Sequence, residues 1–397
     1  MQRTKQNILF AAIIILAAVF VITGCTPGTA TNTSTQNTAT NQGTGNAVQT
    51  TQDKDPIKLG FIAPMSGEAA SYGQNAIAGA TLAVQDINAK GGVNGRMLQL
   101  VVVDDQCSAK GVDAMTKLIT ADNVDLVLGP ICSASAGPGV PIATANNVPV
   151  ILLGASAPKL TSIGDNVFRA YPSDSVQGVA AADFMYNDLN QRKVAVLYVQ
   201  NDYGEGLQQV FVKRFKELGG EITLVQGTNQ QQSDFKTELT KVKESGATAI
   251  FTPMYAGGGI KAFKQRGELG MGDMPIVGGD ALEANELIDS GYAEGVYYTI
   301  TKIGSSQDLE TRVHAMQEYK NLETNVFIEI YYDGVMIAAQ AIERAGTTDH
   351  DAVKRELYNT NYAGFSNPNM KFGSDRELTQ VSMNVKLIHN KKATIYQ

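Results

Sequence analysis

The chain has 397 residues, which is enough for two or three ordinary domains, and 43% of them are hydrophobic. Its formal net charge of -7 gives no electrostatic footprint for a nucleic-acid partner. The sequence has 3 His, and these residues, His314, His350 and His389, are scattered and unpaired. We therefore expect no metal site, no other cofactor and no nucleic-acid partner.

The N-terminus has the pattern of a secretory signal. Arg3 and Lys5 precede an apolar run over residues 8–22, which has the length of a signal-peptide core and is short for a spanning helix. The run closes with the letters ITGC, an apolar residue and two small ones before Cys25, and this resembles the lipobox of secreted lipoproteins. We predict a signal peptide over residues 1–24 and acylation of Cys25. A simple membrane anchor with a chance cysteine is the alternative, and both interpretations place the rest of the chain outside the cytoplasm.

A polar segment follows the predicted lipidation site. Thr, Asn, Gln, Gly and Ser dominate residues 26–55, and large apolar side chains are nearly absent. Such a composition cannot bury enough apolar surface to offset the entropy lost on ordering. We expect residues 25–55 to be a disordered tether between a membrane and a globular body.

Two cysteines remain after Cys25. In an oxidising compartment, two thiols in one domain are most simply a disulfide, so we predict a bond between Cys107 and Cys132. Closing a loop of this length contributes about 3 kcal/mol. The alternative, a reactive thiol at Cys132, needs a nearby base, and the sequence offers none.

Strand and helix patterns alternate from residue 56 onward. Short apolar runs such as 57–63 and 98–105 indicate strands, and the amphipathic segment 73–92 between them indicates a helix. The alternation restarts after the segment RAYPSDS, residues 169–175. Repeated strand–helix units with short loops predict parallel sheets covered on both faces. The sequence therefore predicts an α/β protein with two doubly wound units.

The C-terminal part of the chain carries two further patterns. Residues 325–346 have the spacing of a long amphipathic helix. Residues 381–396 have the pattern of a β-hairpin that turns at Asn390 and Lys391.

Small polar residues follow two neighbouring strands of the first unit. Ser133 comes after the run VDLVLG, and Gly154, Ala155 and Ser156 come after VPVILLG. Ligands of open parallel sheets bind at the carboxyl ends of the strands. Free backbone N–H groups and hydroxyls at helix starts can bind an anion there, although serine is also an ordinary helix cap.

The second unit offers an acid and two phenols at the corresponding places. Tyr203, Tyr255 and Asp280 each follow a predicted strand. A carboxylate and two phenols opposite an anion cradle would suit a zwitterion, with its carboxylate on one wall and its ammonium on the other. Helix capping by Asp280 and simple packing of Tyr203 remain open.

Several segments in one order resemble the periplasmic leucine/isoleucine/valine-binding protein family, the amino-acid receptors of ABC importers. They are MSGEAASYGQNAIAGATLAVQDINAKGGVNGRML, DDQC, GPICSAS and NDYGEG, and the resemblance covers residues 56–397. It implies the type I periplasmic binding protein fold, in which two Rossmann-like doubly wound lobes are joined by three hinge crossings. We expect residues 56–173 plus 304–378 in the first lobe and 174–303 plus 379–397 in the second.

The resemblance also implies roles for residues of the first lobe. Ser133 and Ser156 would hold the ligand carboxylate, with help from the backbone of Ala155. Gly154 would offer its carbonyl to the ammonium group. Ser156 stands where the family commonly has Thr.

In the second lobe, the resemblance makes Asp280 the counter-charge of the ammonium group. Tyr203 and Tyr255 would line that wall, and Tyr72 of the first lobe would border the side-chain pocket. Asp280 stands where Glu is common, so the particular amino acid stays open.

The resemblance implies a receptor rather than an enzyme. A lipid-anchored monomer would capture a small amino acid, branched-chain by this resemblance, and deliver it to an ABC permease with its ATPases. A receptor or sensor for an amide, urea or an aromatic acid is the alternative. The folded part has no G-x-S-x-G, Walker A or G-x-G-x-x-G motif, which disfavours a hydrolase or a nucleotide enzyme.

Overall fold

The computed structural model describes residues 55–304 and 306–396. The predicted signal peptide, Cys25 and nearly all of the predicted tether lie outside these residues. The described residues belong to one compact unit. Within the described ranges this unit holds two β-sheets with five and seven strands, each flanked by helices.

The first sheet is formed by the first part of this unit. Its spatial order is β2-β1-β3-β4-β5, and all neighbouring strands pair in parallel. The inner strands are buried throughout or nearly so, as expected for strands covered by helices on both faces. The strands are β1 (Ile57–Ala63), β2 (Leu98–Asp104), β3 (Leu126–Leu128), β4 (Val150–Leu152) and β5 (Val167–Arg169).

The second sheet repeats this order and extends it. Five of its strands pair in parallel in the order β7-β6-β8-β9-β10, and β11 and β12 add an antiparallel hairpin at one edge. The strands are β6 (Lys193–Val199), β7 (Glu221–Thr228), β8 (Ala249–Thr252), β9 (Ile276–Gly278), β10 (Val296–Thr301), β11 (Met383–His389) and β12 (Lys392–Ile395).

The predicted C-terminal hairpin is confirmed. Its turn residues, Asn390 and Lys391, have φ values of 51° and 55°. Positive φ at both central residues is the geometry of a type I′ turn, whose twist matches that of two paired strands.

The helices confirm the predicted strand–helix alternation. α2 and α4 are each continued by a wider helical turn, at Lys117–Ala121 and Phe184–Asp188. In the described residues, no helix has the length and apolar character needed to cross a bilayer. The helices are α1 (Ala70–Asn88), α2 (Gly111–Thr116), α3 (Ser133–Ala145), α4 (Asp174–Asp183), α5 (Asp202–Glu217), α6 (Lys236–Glu244), α7 (Ala256–Glu268), α8 (Asn285–Asp289), α9 (Gln307–Ala315), α10 (Phe327–Ala345) and α11 (His350–Tyr358).

Within the described residues the chain passes between the two sheets three times. It leaves the first sheet after β5, returns after β10 through α9 and α10, and crosses again between α11 and β11. α10 returns to the first sheet, where it packs along α1. The molecule therefore has two doubly wound lobes joined by three crossings; the residue limits given above for the lobes stay a prediction.

The link after β3 brings a cysteine to the edge of the cleft between the lobes. Gly129 has a φ of 98°, and a Cβ there would lie 2.3 Å from the carbonyl oxygen of Ile62, so only glycine fits. Three residues later, Cys132 forms the predicted disulfide with Cys107, and their Cα atoms are 5.2 Å apart. The bond joins the segments that follow β2 and β3.

Replacing Cys107 by Ser should lower the midpoint of thermal unfolding by several degrees. The bond closes a loop of 25 residues, and its loss removes about 3 kcal/mol of stabilisation. Calorimetry with and without a reductant measures the effect. Cys107→Ser with Cys132→Ser is the control for a leftover free thiol. Alkylation of both thiols in the unreduced, denatured wild-type protein would refute the bond.

Candidate functional site

A cavity of about 30 Å³ lies between the lobes, at the carboxyl ends of the strands, and it adjoins a larger cleft of about 250 Å³ at Tyr72 and Tyr255. In each sheet the strand order reverses beside the first strand of the unit, β1 or β6, and such switch points are where doubly wound sheets bind ligands. The structure brings seven predicted residues onto the wall of this cavity: Tyr72, Ser133, Gly154, Ser156, Tyr203, Tyr255 and Asp280.

Ala155 is the exception among the predicted ligand-binding residues, all of which the structure describes. It is fully buried beside the cavity and does not line it. Its carbonyl oxygen accepts a hydrogen bond of 3.3 Å from the guanidinium of Arg169. This hydrogen bond holds the backbone at Ala155 to the end of β5, next to the first crossing between the lobes.

Ser133 begins α3, and its hydroxyl hydrogen is left to donate to a ligand. Its Oγ accepts hydrogen bonds of 3.1 Å from the backbone N–H groups of Ser156 and Ala157. A hydroxyl has two acceptor positions and one donor hydrogen. Both acceptor positions are occupied, so Ser133 can only donate to a further group. This favours a ligand acceptor such as a carboxylate oxygen on this wall.

Asp280 lies on the opposite wall, where a short 3₁₀ turn (Asp280–Leu282) follows β9. Its carboxylate accepts hydrogen bonds from the hydroxyls of Tyr171 at 2.7 Å and Tyr203 at 3.1 Å. Removal from bulk water raises the pKa of Asp280, and these hydroxyls together with Gln177 offset part of that rise. Tyr203 also stacks on Tyr255, with ring centroids 5.2 Å apart.

Asp174 is a second acid near this wall, and the sequence analysis assigned it no role. It begins α4 and is fully buried, and among the described residues neither carboxylate oxygen meets a donor at bonding geometry. Burial, and then the neighbouring Asp280 carboxylate, raise its pKa well above the ordinary value. The Arg169 guanidinium and the Ser156 hydroxyl are close enough to lower the pKa in part.

Glu283 also lines the cavity, and its carboxylate already forms an ion pair with a lysine. Lys386 of β11 lies 2.8 Å from both of its carboxylate oxygens, and the hydroxyl of Tyr298 donates to it as well. Glu283 is therefore neutralised by its neighbours, whereas Asp174 and Asp280 form no ion pair within the described residues.

The sequence analysis also missed cavity residues that carry no charge. Tyr171 comes from the first crossing between the lobes, and Ile300, Val326 and Phe327 add apolar surface. Phe327 contacts Tyr72, with ring centroids 5.4 Å apart. In the sequence, these four residues were marked only by their positions near a crossing between the lobes or near the start of the long predicted helix.

Polar contacts join the two lobes around the cavity. The hydroxyl of Tyr72 donates to the carbonyl oxygen of Ala281 at 2.8 Å. Gln230 donates to the carbonyl oxygen of Cys107 at 2.7 Å. With these contacts formed, the cleft is closed over the cavity.

The cavity combines a hydroxyl donor on one wall, the Asp280 carboxyl on the other, and aromatic and aliphatic surface beside them. This arrangement can bind a small molecule that carries an anionic group, a cationic group and an apolar part. Among the described residues no cluster of three or more His, Cys, Asp or Glu side chains could hold a metal ion.

The chain matches the model of the family described as periplasmic binding protein over residues 56–392. A bilobal fold with a ligand cleft defines the class as a substrate-binding receptor, not an enzyme family. The chain belongs to the leucine/isoleucine/valine-binding branch of the type I periplasmic binding proteins, a family that works outside the cytoplasm.

Relatives of known name support this assignment. The leucine-, isoleucine-, valine-, threonine- and alanine-binding protein of Pseudomonas aeruginosa is 29% identical over 308 residues, which are 76% of this chain and 82% of the relative. The crystal structure of a leucine-binding protein from Thermotoga maritima is similar with a TM-score of 0.78 and 27% identity, covering 86% of this chain and 98% of that one.

A branched-chain amino acid transporter substrate-binding protein from Streptococcus pneumoniae, solved in complex with isoleucine, is also similar. Its TM-score is 0.74 and its identity 30%, covering 86% of this chain and 99% of that one.

Asp174→Asn should raise the thermal midpoint of the ligand-free protein by a few degrees at pH 7. In the unfolded chain this carboxyl titrates near pH 4, whereas the folded protein retains its proton to higher pH. The wild-type free energy of unfolding therefore falls as the pH rises above about 4, until the folded-state pKa is passed. The Asp174→Asn variant has no carboxyl group at this position, so its free energy of unfolding does not fall in this way.

Melting curves between about pH 4 and pH 8 check the sign of this effect. The advantage of Asp174→Asn should shrink towards the acid end. Asp308→Asn, at a side chain that is 71% exposed, is the control and should show no such trend. An advantage of equal size at every pH would contradict the assignment.

Proposed function

We propose that this protein is a lipid-anchored receptor that captures a branched-chain amino acid in the cleft and delivers it to an ABC importer. The ligand carboxylate would meet Ser133 and Ser156, and its ammonium group would meet Asp280, with Tyr203 and Tyr255 beside it. The carbonyl of Gly154 would accept from the ammonium, and Tyr72 would border the apolar side chain.

The observation that carries the proposal is the unequal charge of the two walls. Ser133 has only its donor hydrogen left, while Asp280 forms no ion pair within the described residues. An uncompensated buried acid is unfavourable, and a ligand ammonium would relieve it. The relatives that bind leucine, isoleucine and valine by name support the same ligand class.

Other small ligands fit this polarity less well. An aromatic acid would supply the carboxylate but no cation for Asp280. Urea or a simple amide would supply neutral donors and leave the Ser133 side without an anion. A sensor with the same ligand would need a separate signalling partner.

The anchor and the delivery step rest on the N-terminal sequence and on the family. The lipobox-like segment before Cys25 supports acylation at that residue, and residues 25–55 would tether the receptor. Lobes closed over a ligand present a different surface from open ones, which would let the permease and its ATPases recognise the loaded monomer.

Leu, Ile or Val should raise the thermal midpoint of the protein after ligand removal by unfolding and refolding. A ligand at a hundred times its dissociation constant adds about 2.7 kcal/mol, which is a shift of a few degrees in a body of this size. Charged amino acids should give no shift. Response to urea, amides or benzoate in place of amino acids would refute the ligand class.

Asp280→Asn should weaken amino-acid binding by about 10- to 100-fold in calorimetric titration, because a hydrogen bond to a charged group contributes about 1.5–3 kcal/mol. Asp308→Asn, an exposed acid remote from the cavity, is the matched control and should keep the wild-type affinity. An unchanged affinity in Asp280→Asn would remove Asp280 from the ammonium site.

Cys25→Ser should release the protein from the membrane fraction and abolish incorporation of a labelled fatty acid. Acylation needs the cysteine thiol, and a serine hydroxyl does not replace it in a lipobox. Cell fractionation with fatty-acid labelling measures both effects. A variant that stays in the membrane without label would favour the alternative of an uncleaved anchor.

A further inference from the structure

Arg169 is a buried cation at the end of β5 that does not line the cavity. Its exposed fraction is 0%, which is rare for arginine. A guanidinium has five N–H donors and no acceptor, and each donor left unpaired in the interior is unfavourable. In this protein all five donors have partners.

The partners of Arg169 come from separate segments of the chain. Nε and Nη2 form a two-pronged ion pair with the carboxylate of Glu377, with Nε 2.8 Å from Oε2. Nη1 donates to the carbonyl oxygens of Ala155 at 3.3 Å and Ala157 at 2.7 Å. Nη2 also donates to the hydroxyl of Ser173 at 3.1 Å.

Each of these segments belongs to the hinge or to the candidate site. Residues 154–157 form the proposed carboxylate wall. Ser173 caps α4, since its hydroxyl accepts the N–H of Ser175, and α4 begins with the buried Asp174. Glu377 lies just before the last crossing, and pairs with Arg169 through a backbone bridge as well.

A buried ion pair does not by itself indicate a role in ligand binding. Here, however, the pair with Glu377 uses two donors, and the other three hold the carboxylate wall and the start of α4. The planar guanidinium of Arg169 therefore fixes the positions of the loop 154–157, the start of α4 at Asp174 and the last crossing relative to one another. Lysine has three donors on a flexible stem and cannot reproduce this geometry.

We infer that Arg169 is a positioning residue for ligand binding, which fixes the loop 154–157 relative to Asp174 and the hinge without touching the ligand. The inference rests on the proposed function, because it assigns this loop to the ligand carboxylate. Its test therefore needs one readout that requires no ligand.

The experiment compares Arg169→Lys and Glu377→Gln with the wild-type protein by amide hydrogen exchange and by leucine titration. Thr161→Val is the matched control, since the Thr161 hydroxyl donates to the same Glu377 carboxylate at 2.7 Å, whereas Arg169 also donates to the loop 154–157. Glu377→Gln keeps the shape of the partner and guards against poor folding of Arg169→Lys.

Without ligand, amides of residues 154–157 and 174–178 should exchange at least about tenfold faster in both variants, as expected when two ordinary hydrogen bonds are lost. Thr161→Val should leave them unchanged. Leucine should bind both variants at least about tenfold more weakly below their melting temperatures, an effect that a purely stabilising residue would not produce.

Unchanged exchange at residues 154–157 in both variants would overturn the inference. So would equal acceleration across the whole first lobe, or a lower melting temperature with an unchanged leucine affinity. Failure of the wild-type protein to bind any amino acid would instead refute the proposed ligand, and the exchange at residues 154–157 would still decide whether Arg169 positions this loop.

Discussion

Parallel strand pairing is the constraint on which the rest of this structure depends. A parallel ladder needs a helical crossover after each strand, so all the carboxyl ends in a lobe meet at one edge. Two lobes then face each other with these edges across a cleft. Residues as distant in the chain as Tyr72 and Asp280 line one cavity for this reason, although each is placed only by the end of its own strand.

The same constraint explains how much the sequence could predict. The runs that became β1 and β6 are long and apolar, and the small polar residues after β3 and β4 stand where the pairing rule expects a ligand. Spacing and compartment together indicated the disulfide between Cys107 and Cys132, which the structure contains. These features depend on local pattern and on one general rule of topology.

What the sequence did not predict depends on partners far along the chain. β5 has three residues and ends in a charged one, so it has no apolar run, and its arginine is buried only because Glu377 arrives about two hundred residues later. Asp174 follows a serine at a helix start, a pattern identical to an ordinary cap. Its burial beside Asp280 exists only once the lobes are joined. Glu283 owes its neutral surroundings to Lys386 on the C-terminal hairpin.

The acids at the cleft lower the stability of the folded, ligand-free protein. Two carboxyl groups held out of water near each other oppose folding of the empty protein. Natural proteins keep such groups where a ligand relieves the unfavourable state. The sequence rules for a stable core and those for a binding site therefore conflict here, and prediction from pattern alone is weakest at such positions.

The disulfide has a mechanical consequence because of the carbonyl next to it. The oxygen of Cys107 accepts a bond from Gln230 of the opposite lobe, so a covalent brace supports the rim that the second lobe grips when it closes. The two segments of this rim stay covalently joined only where the disulfide is stable, which an oxidising exterior ensures and a reducing interior would not.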